Sequence, residues 1–126
     1  MILLSTMLYG QKTDNADTTS RPAAGKTTAK PAEFPGGAEA WRLYLEKSLR
    51  YPKRALRKNI QGLVRVQFLV AKDGSISDVS ALNDPGGGLA EEAVRIIAEG
   101  PKWIPAEKDG KKVLYRHIQS ITFLLE

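Results

Sequence analysis

The stretch QGLVRVQFLVAKDGSISDV, Gln61 to Val79, decides the fold. Val64, Val66, Phe68 and Val70 fall on alternate positions, the period of a strand with one buried face. Lys72-Asp73-Gly74 follows, and its Asp-Gly pair is the signal of a two-residue type I′ loop. The returning strand SISDVSAL alternates imperfectly: Ile76 and Val79 are three positions apart, Val79 and Ala81 two. One extra residue near Asp78 restores the register, so a bulge is expected there. A lone hairpin is marginal in water, so other elements must cover its apolar face.

Two amphipathic segments can do so. FPGGAEAWRLYLEKSLRYP opens on a turn and continues with Trp41, Leu45, Ser48 and Leu49 on one helical stripe, with Tyr44 beside them. Pro52 ends that helix, because the residue before proline avoids the helical region, and begins a short second helix, PKRALRKN. LAEEAVRIIAEG places Leu89, Ala93, Ile96 and Ile97 on another stripe. Its Glu91 and Glu92 lie in the first turn, where the helix dipole favours negative charge. PKWIP reads as a rigid connector and KDGK as a turn. The last stretch, KVLYRHIQSITFLLE, is long and β-prone. Val113, Tyr115, His117, Gln119, Ile121, Phe123 and Leu125 share one of its faces. The order is helix, helix, strand, strand, helix, strand. This predicts an α+β two-layer sandwich, a three-stranded antiparallel sheet with helices on one face.

The chain has 126 residues, enough for one domain. Residues 11–33 run QKTDNADTTSRPAAGKTTAKPAE, without a large apolar side chain. Such a composition cannot offset chain entropy, and it predicts a flexible linker ahead of a domain over residues 34–126. MILLSTMLYG, residues 1–10, is too short to span a bilayer, which takes about 20 apolar residues. It reads as the remnant of a signal peptide or membrane anchor that begins upstream.

Catalytic chemistry needs convergent groups, and few are present. There is no cysteine, so thiolate catalysis and Cys-bound zinc are excluded. His117 is the single histidine, and in mid-strand it reads as a half-buried strand residue. Glu91 and Glu92 are consecutive on a helix and point different ways. DPGGGL precedes a helix but lacks the spacing of a phosphate-binding loop. The residues predict no enzyme, no cofactor and no metal site. The net charge of +5 suits an anionic partner. Its densest source is the run Lys47, Arg50, Lys53, Arg54, Arg57 and Lys58. A small basic nucleic-acid-binding α+β domain is therefore one alternative. It wants exposed aromatic residues for base stacking, whereas Phe68 alternates with valines as core, so no nucleic acid is expected.

The ordered set of pieces resembles the C-terminal domain of TonB. They are Tyr51-Pro52, the pattern QG.V.V.F.V..DG.I..V over Gln61–Val79, GGGLAEEAV, WIP at Trp103–Pro105, and the closing V.Y….I.F.L of Val113–Leu125. FPGG.EA at Phe34–Ala40 is similar to the version common in the Bacteroidetes group. The resemblance implies a periplasmic energy transducer that engages outer-membrane transporters and supports energy-coupled transport. It implies that a short extended segment, the TonB box, adds as a strand beside the last strand, a mode known as β-augmentation. The partner-binding residues are then Val113, Leu114, Tyr115, Arg116, His117, Ile118, Gln119, Ser120 and Ile121, with a secondary contact at Leu49, Arg50 and Tyr51. A homodimer is another use of the same edge. Inner-membrane motor proteins are partners only where an anchor exists upstream, which would make the domain periplasmic but anchored. Otherwise the chain is an uncoupled soluble envelope-binding domain. His117 and Gln119 stand where similar domains carry apolar residues, which predicts a locally polar or register-shifted sheet.

Overall fold

The computed structural model describes residues 2–8 and 29–125. In chain order the elements are β1 (Ile2–Leu8), β2 (Ala29–Lys30), α1 (Gly37–Ser48), α2 (Lys53–Lys58), β3 (Gly62–Val70), β4 (Ile76–Ala81), α3 (Leu89–Ala98), β5 (Ala106–Lys108), β6 (Lys111–Val113) and β7 (Tyr115–Leu125). The main sheet has the order β1-β7-β3-β4, and a second, small sheet has the order β2-β5-β6. Every pairing is antiparallel. The α+β architecture stands as expected, with β7-β3-β4 the predicted three strands.

Strand β3 is central because both its flanks are used. Val64, Val66, Phe68 and Val70 are fully buried on one face. Their helical cover is the stripe expected: Trp41 and Leu45 of α1, and Leu89, Ala93, Ile96 and Ile97 of α3, are buried. Phe34 sits at the centre of an aromatic group, with ring centroids 5.1 Å from Trp41, 5.3 Å from Tyr44 and 5.6 Å from Trp103. Trp103 in turn meets Phe68 at 5.1 Å. The expected connector PKWIP is thus part of the core. Such ring pairs contribute about 0.5–1.5 kcal/mol each beyond the area they bury.

The bulge expected near Asp78 is present. The β3–β4 register runs Gln67↔Ser80 and then Leu69↔Ser77, so it shifts at that point, and Asp78 takes a left-handed φ of 51°. The turn type is a correction. Ala71 N donates to Ser75 O at 2.9 Å and Gly74 N to Ala71 O at 2.9 Å. The loop therefore has three residues, with Gly74 left-handed at φ 90°, a turn followed by a glycine bulge rather than type I′. Trp103 supplies the reason, because its N–H donates to Gly74 O at 2.9 Å. A two-residue type I′ loop does form at the second Asp-Gly pair. Asp109 (φ 51°) and Gly110 (φ 80°) join the paired residues Lys108 and Lys111.

Two further differences concern boundaries. Ala29 pairs with Lys108 and Lys30 with Glu107, Ala32 is buried, and Glu33 bridges to Ile104. The end of the expected linker, residues 29–33, therefore belongs to the fold ahead of Phe34; residues 11–28 of it lie outside the described residues. Within the segment 1–10, Ile2–Leu8 forms a strand along β7.

Replacement of Trp41 or Ile96 by alanine is expected to cost about 2–5 kcal/mol each, the range for buried large-to-small changes, read from urea unfolding midpoints. Gly74→Ala is expected to destabilise as well. A Cβ at Gly74 would lie 2.2 Å from Trp103 O, and left-handed backbone in a non-glycine residue adds about 1–3 kcal/mol. Wild-type stability in Gly74→Ala would mean that the Trp103 connector is not held against this loop.

Candidate partner-strand interface

A strand offers a partner its unpaired N–H and C=O groups, so the edges of the main sheet are the places to examine. The β4 edge is short, and it carries the Asp78 bulge and an acidic side chain, devices that discourage strand addition. Beyond Ala81 the chain continues to shield β3 with a side chain. Asn83 Oδ1 accepts from Arg65 N at 2.9 Å, and Asn83 Nδ2 donates to Leu63 O at 2.7 Å. That amide replaces a strand on the first half of β3.

Strand β7 differs. Its pairing with β3 runs without interruption from Gly62↔Phe123 to Val70↔Tyr115, so it is long and regular. Gln61 extends the ladder by accepting from Leu125 N through Oε1 at 2.6 Å. On the opposite flank of β7 lies β1, in the register Ile2↔Leu125 to Leu8↔Gln119.

The predicted site residues divide between these surroundings. Val113 belongs to the small sheet, paired with Ala106. Leu114 is the exposed junction between β6 and β7, 59% accessible. Tyr115, Arg116, His117 and Ile118 lie on β7 beyond the end of the β1 register, while Gln119, Ser120 and Ile121 lie within it. The β1-covered stretch continues to Leu125, past the predicted limit at Ile121. His117 and Gln119 face the core and are buried. His117 Nε2 and Gln119 Oε1 are 3.2 Å apart, and the imidazole packs 5.1 Å from Trp103 and 5.4 Å from Phe68. Of the two outcomes expected for this pair, the sheet is locally polar and its register is intact. Ser120, also buried, has a hydroxyl with no hydrogen-bond partner among the described residues.

The secondary contact Leu49, Arg50 and Tyr51 is the connection between α1 and α2. Leu49 N donates to Leu45 O and closes α1. Tyr51 sets its ring edge-on to Phe123 of β7, with centroids 5.5 Å apart, and its hydroxyl donates to Ile60 O. Arg50 N donates to Glu92 Oε2 at 2.7 Å. Glu92 also receives Arg95 at 2.7 Å, and Arg95 donates to Ser48 O at 2.9 Å. These carboxylate partners, Glu92 foremost, hold the Arg95 guanidinium above its ordinary range. The basic run Arg50, Lys53, Arg54, Arg57 and Lys58 is exposed on the same connection and on α2. The glycine loop ahead of α3 packs on α2: a Cβ at Gly87 would lie 2.9 Å from Ala55 Cβ. Close approach of two elements accounts for that glycine.

Between Pro31–Phe34 and the start of α1 is a cavity of about 270 Å³, lined also by Trp41 and His117. Among the described residues no cluster of three His, Cys, Asp or Glu side chains is placed to hold a metal, and no helix is long and apolar enough to cross a membrane.

Glu92→Ala is expected to cost about 1–3 kcal/mol, because it leaves the Arg50 N–H without its acceptor and removes two of the hydrogen bonds of the half-buried Arg95. The check is a shift in urea midpoint at unchanged slope. A loss below about 0.5 kcal/mol, the usual range at the surface, would show that this carboxylate does not fix the α1–α2 connection.

No curated protein and no solved structure gives a significant match. The family model described as "Gram-negative bacterial TonB protein C-terminal" matches residues 47–125. That span runs from the end of α1 to the end of β7 and includes the hairpin, α3 and the long last strand. The chain belongs to the TonB C-terminal domain family.

Proposed function

We propose that this domain engages outer-membrane TonB-dependent transporters by taking an extended transporter segment, the TonB box, as an added strand on β7. Family membership suggests a TonB-like periplasmic domain of transport energy coupling, in a family that is associated with transport and is not catalytic. The observation that carries the finer reading is the contrast between the two strands that flank β3. β4 is short, bulged and acidic, whereas β7 is long and pairs with β3 without interruption from Tyr115 to Phe123. Main-chain hydrogen bonds along such a strand supply grip with little dependence on side chains. They also act together when the added strand is pulled along its axis, which suits a domain that transmits force. Tyr51, packed on Phe123, links this strand to the Leu49–Tyr51 connection, a second surface for the transporter.

The experiment is titration of the isotope-labelled domain with a peptide carrying the TonB box of an outer-membrane transporter, followed by backbone amide shifts. Shifts are expected along β7. Ile118→Thr is expected to weaken binding no more than about fivefold, since one cross-strand side-chain pair is worth roughly 0.2–1 kcal/mol. Ile118→Pro is expected to abolish it, because proline removes a donor and is not accommodated in a paired strand. Circular dichroism must first show that the proline variant is folded. Shifts confined to the run Lys47–Lys58, or full binding by a folded Ile118→Pro, would overturn the reading in favour of a domain held by acidic envelope polymer or lipid.

A further inference from the structure

We propose that Ile2–Leu8 is a built-in occupant of the β7 edge, so that a partner strand binds only in competition with the chain's own N-terminal segment. The inference rests on the strand-addition reading and adds what covers the site before the partner arrives. Four observations support it. The pairing is a continuous ladder, Ile2↔Leu125 through Leu8↔Gln119, with no shift of register. It lies on the one flank of β7 that β3 leaves open. It covers Gln119, Ser120 and Ile121, the end of the stretch expected to bind a partner, and runs on to Leu125. The opposite edge of the sheet is guarded by other means, the bulge at Asp78 and the Asn83 amide.

An exposed, long and regular edge is a template for pairing with any extended chain. A covering strand from the same molecule removes that hazard and leaves the edge available. The tether permits exchange. By length alone, the residues numbered 9–28 could span at most about 66 Å at ~3.3 Å per residue, several times the ~13 Å radius of gyration of a domain near 100 residues. The strand can therefore leave β7 without displacing Ala29. A segment joined to its site within the same chain competes at an effective concentration on the order of millimolar. The apparent affinity for a partner then falls by the fraction of time that the edge is open. A transporter segment presented close to the domain meets a lower barrier than a dilute peptide does, which would favour engagement at the transporter over stray pairing.

The chain has no cysteine, so a single engineered pair can lock the cover without competing thiols. Ser5 and Thr122 are direct partners in the ladder. Facing residues of an antiparallel pair have Cα atoms about 4.5–5.5 Å apart, inside the range a disulfide spans. The full chain carrying Ser5→Cys and Thr122→Cys is expected to form an intramolecular disulfide under mild oxidation. The oxidised form should bind the TonB-box peptide at least tenfold more weakly than the same protein after reduction. A second full-chain variant, Leu4→Pro with Thr6→Pro, disrupts the covering strand and leaves β7 intact. It should bind the peptide at least tenfold more tightly than wild type. Failure of the intramolecular bond to form, or a crosslinked dimer in its place, would overturn the inference, the dimer by showing that the strand comes from a second copy. Equal binding by the locked and reduced forms would overturn it too, as would unchanged affinity of the proline variant. These results leave the strand-addition reading standing. Absence of peptide binding by wild type, the reduced pair and the proline variant alike removes that reading, and this inference with it.

Discussion

Strand β3 must bury Val64, Val66, Phe68 and Val70 on one face, and the other elements are placed by that requirement. Burial of side chains of this size is worth about 1.5–3 kcal/mol each, but only if something dry lies against them. Helices α1 and α3 provide it with stripes of the right period, and Trp103 closes the end of the layer where Phe68 emerges. Because β3 is flanked on both sides, its hydrogen bonds are satisfied by β4 and β7 in the same register that aligns the buried face. The core and the ladder are therefore one constraint. A slip of one residue would turn every valine outward.

The sheet's edges follow from this arrangement. β3 has β4 on one flank and β7 on the other, with β1 beyond β7, and the molecule treats the two flanks differently. At β4 the Asp78 bulge breaks the regular ladder, and beyond it the Asn83 amide takes the place of further strand. At β7 there is no bulge, and the ladder to β3 is unbroken. Polar His117 and Gln119 lie on the buried side and contact each other, and the register with β3 runs past them unbroken. The outer flank of β7 is thus a long regular ladder, taken by β1 from Gln119 to Leu125, whereas the β4 edge is guarded.

Elements whose signals are local were legible in the sequence. The alternation in β3, the misfit at Asp78, the stripes of α1 and α3 and the stop at Pro52 each lie within one segment, and each has its expected counterpart in the fold. The parts that were not legible depend on partners remote in the chain. Strands β2, β5 and β6 are two or three residues long, too short for a period, and β2 forms only where Ala29–Lys30 meets Glu107–Lys108. The two Asp-Gly pairs carry the same local signal yet form different turns, since Trp103 grips only the one at Gly74. Of the stretch expected to bind a partner, Tyr115–Ile121 falls on β7, whereas Val113 ends β6 and Leu114 joins the two strands. The break at Leu114 has no signal of its own, and the β1 pairing that runs to Leu125 has none either, because it spans more than a hundred positions of sequence.

The central claim is that a partner adds to β7 through main-chain pairing. It is tested most directly by intermolecular nuclear Overhauser contacts between the backbone of a labelled TonB-box peptide and the backbone of the domain. The account predicts the ladder pattern of adjacent strands, with cross-strand contacts between peptide backbone protons and those of β7. Contacts made only by side chains, or gathered on the exposed cations from Arg50 to Lys58, would contradict it.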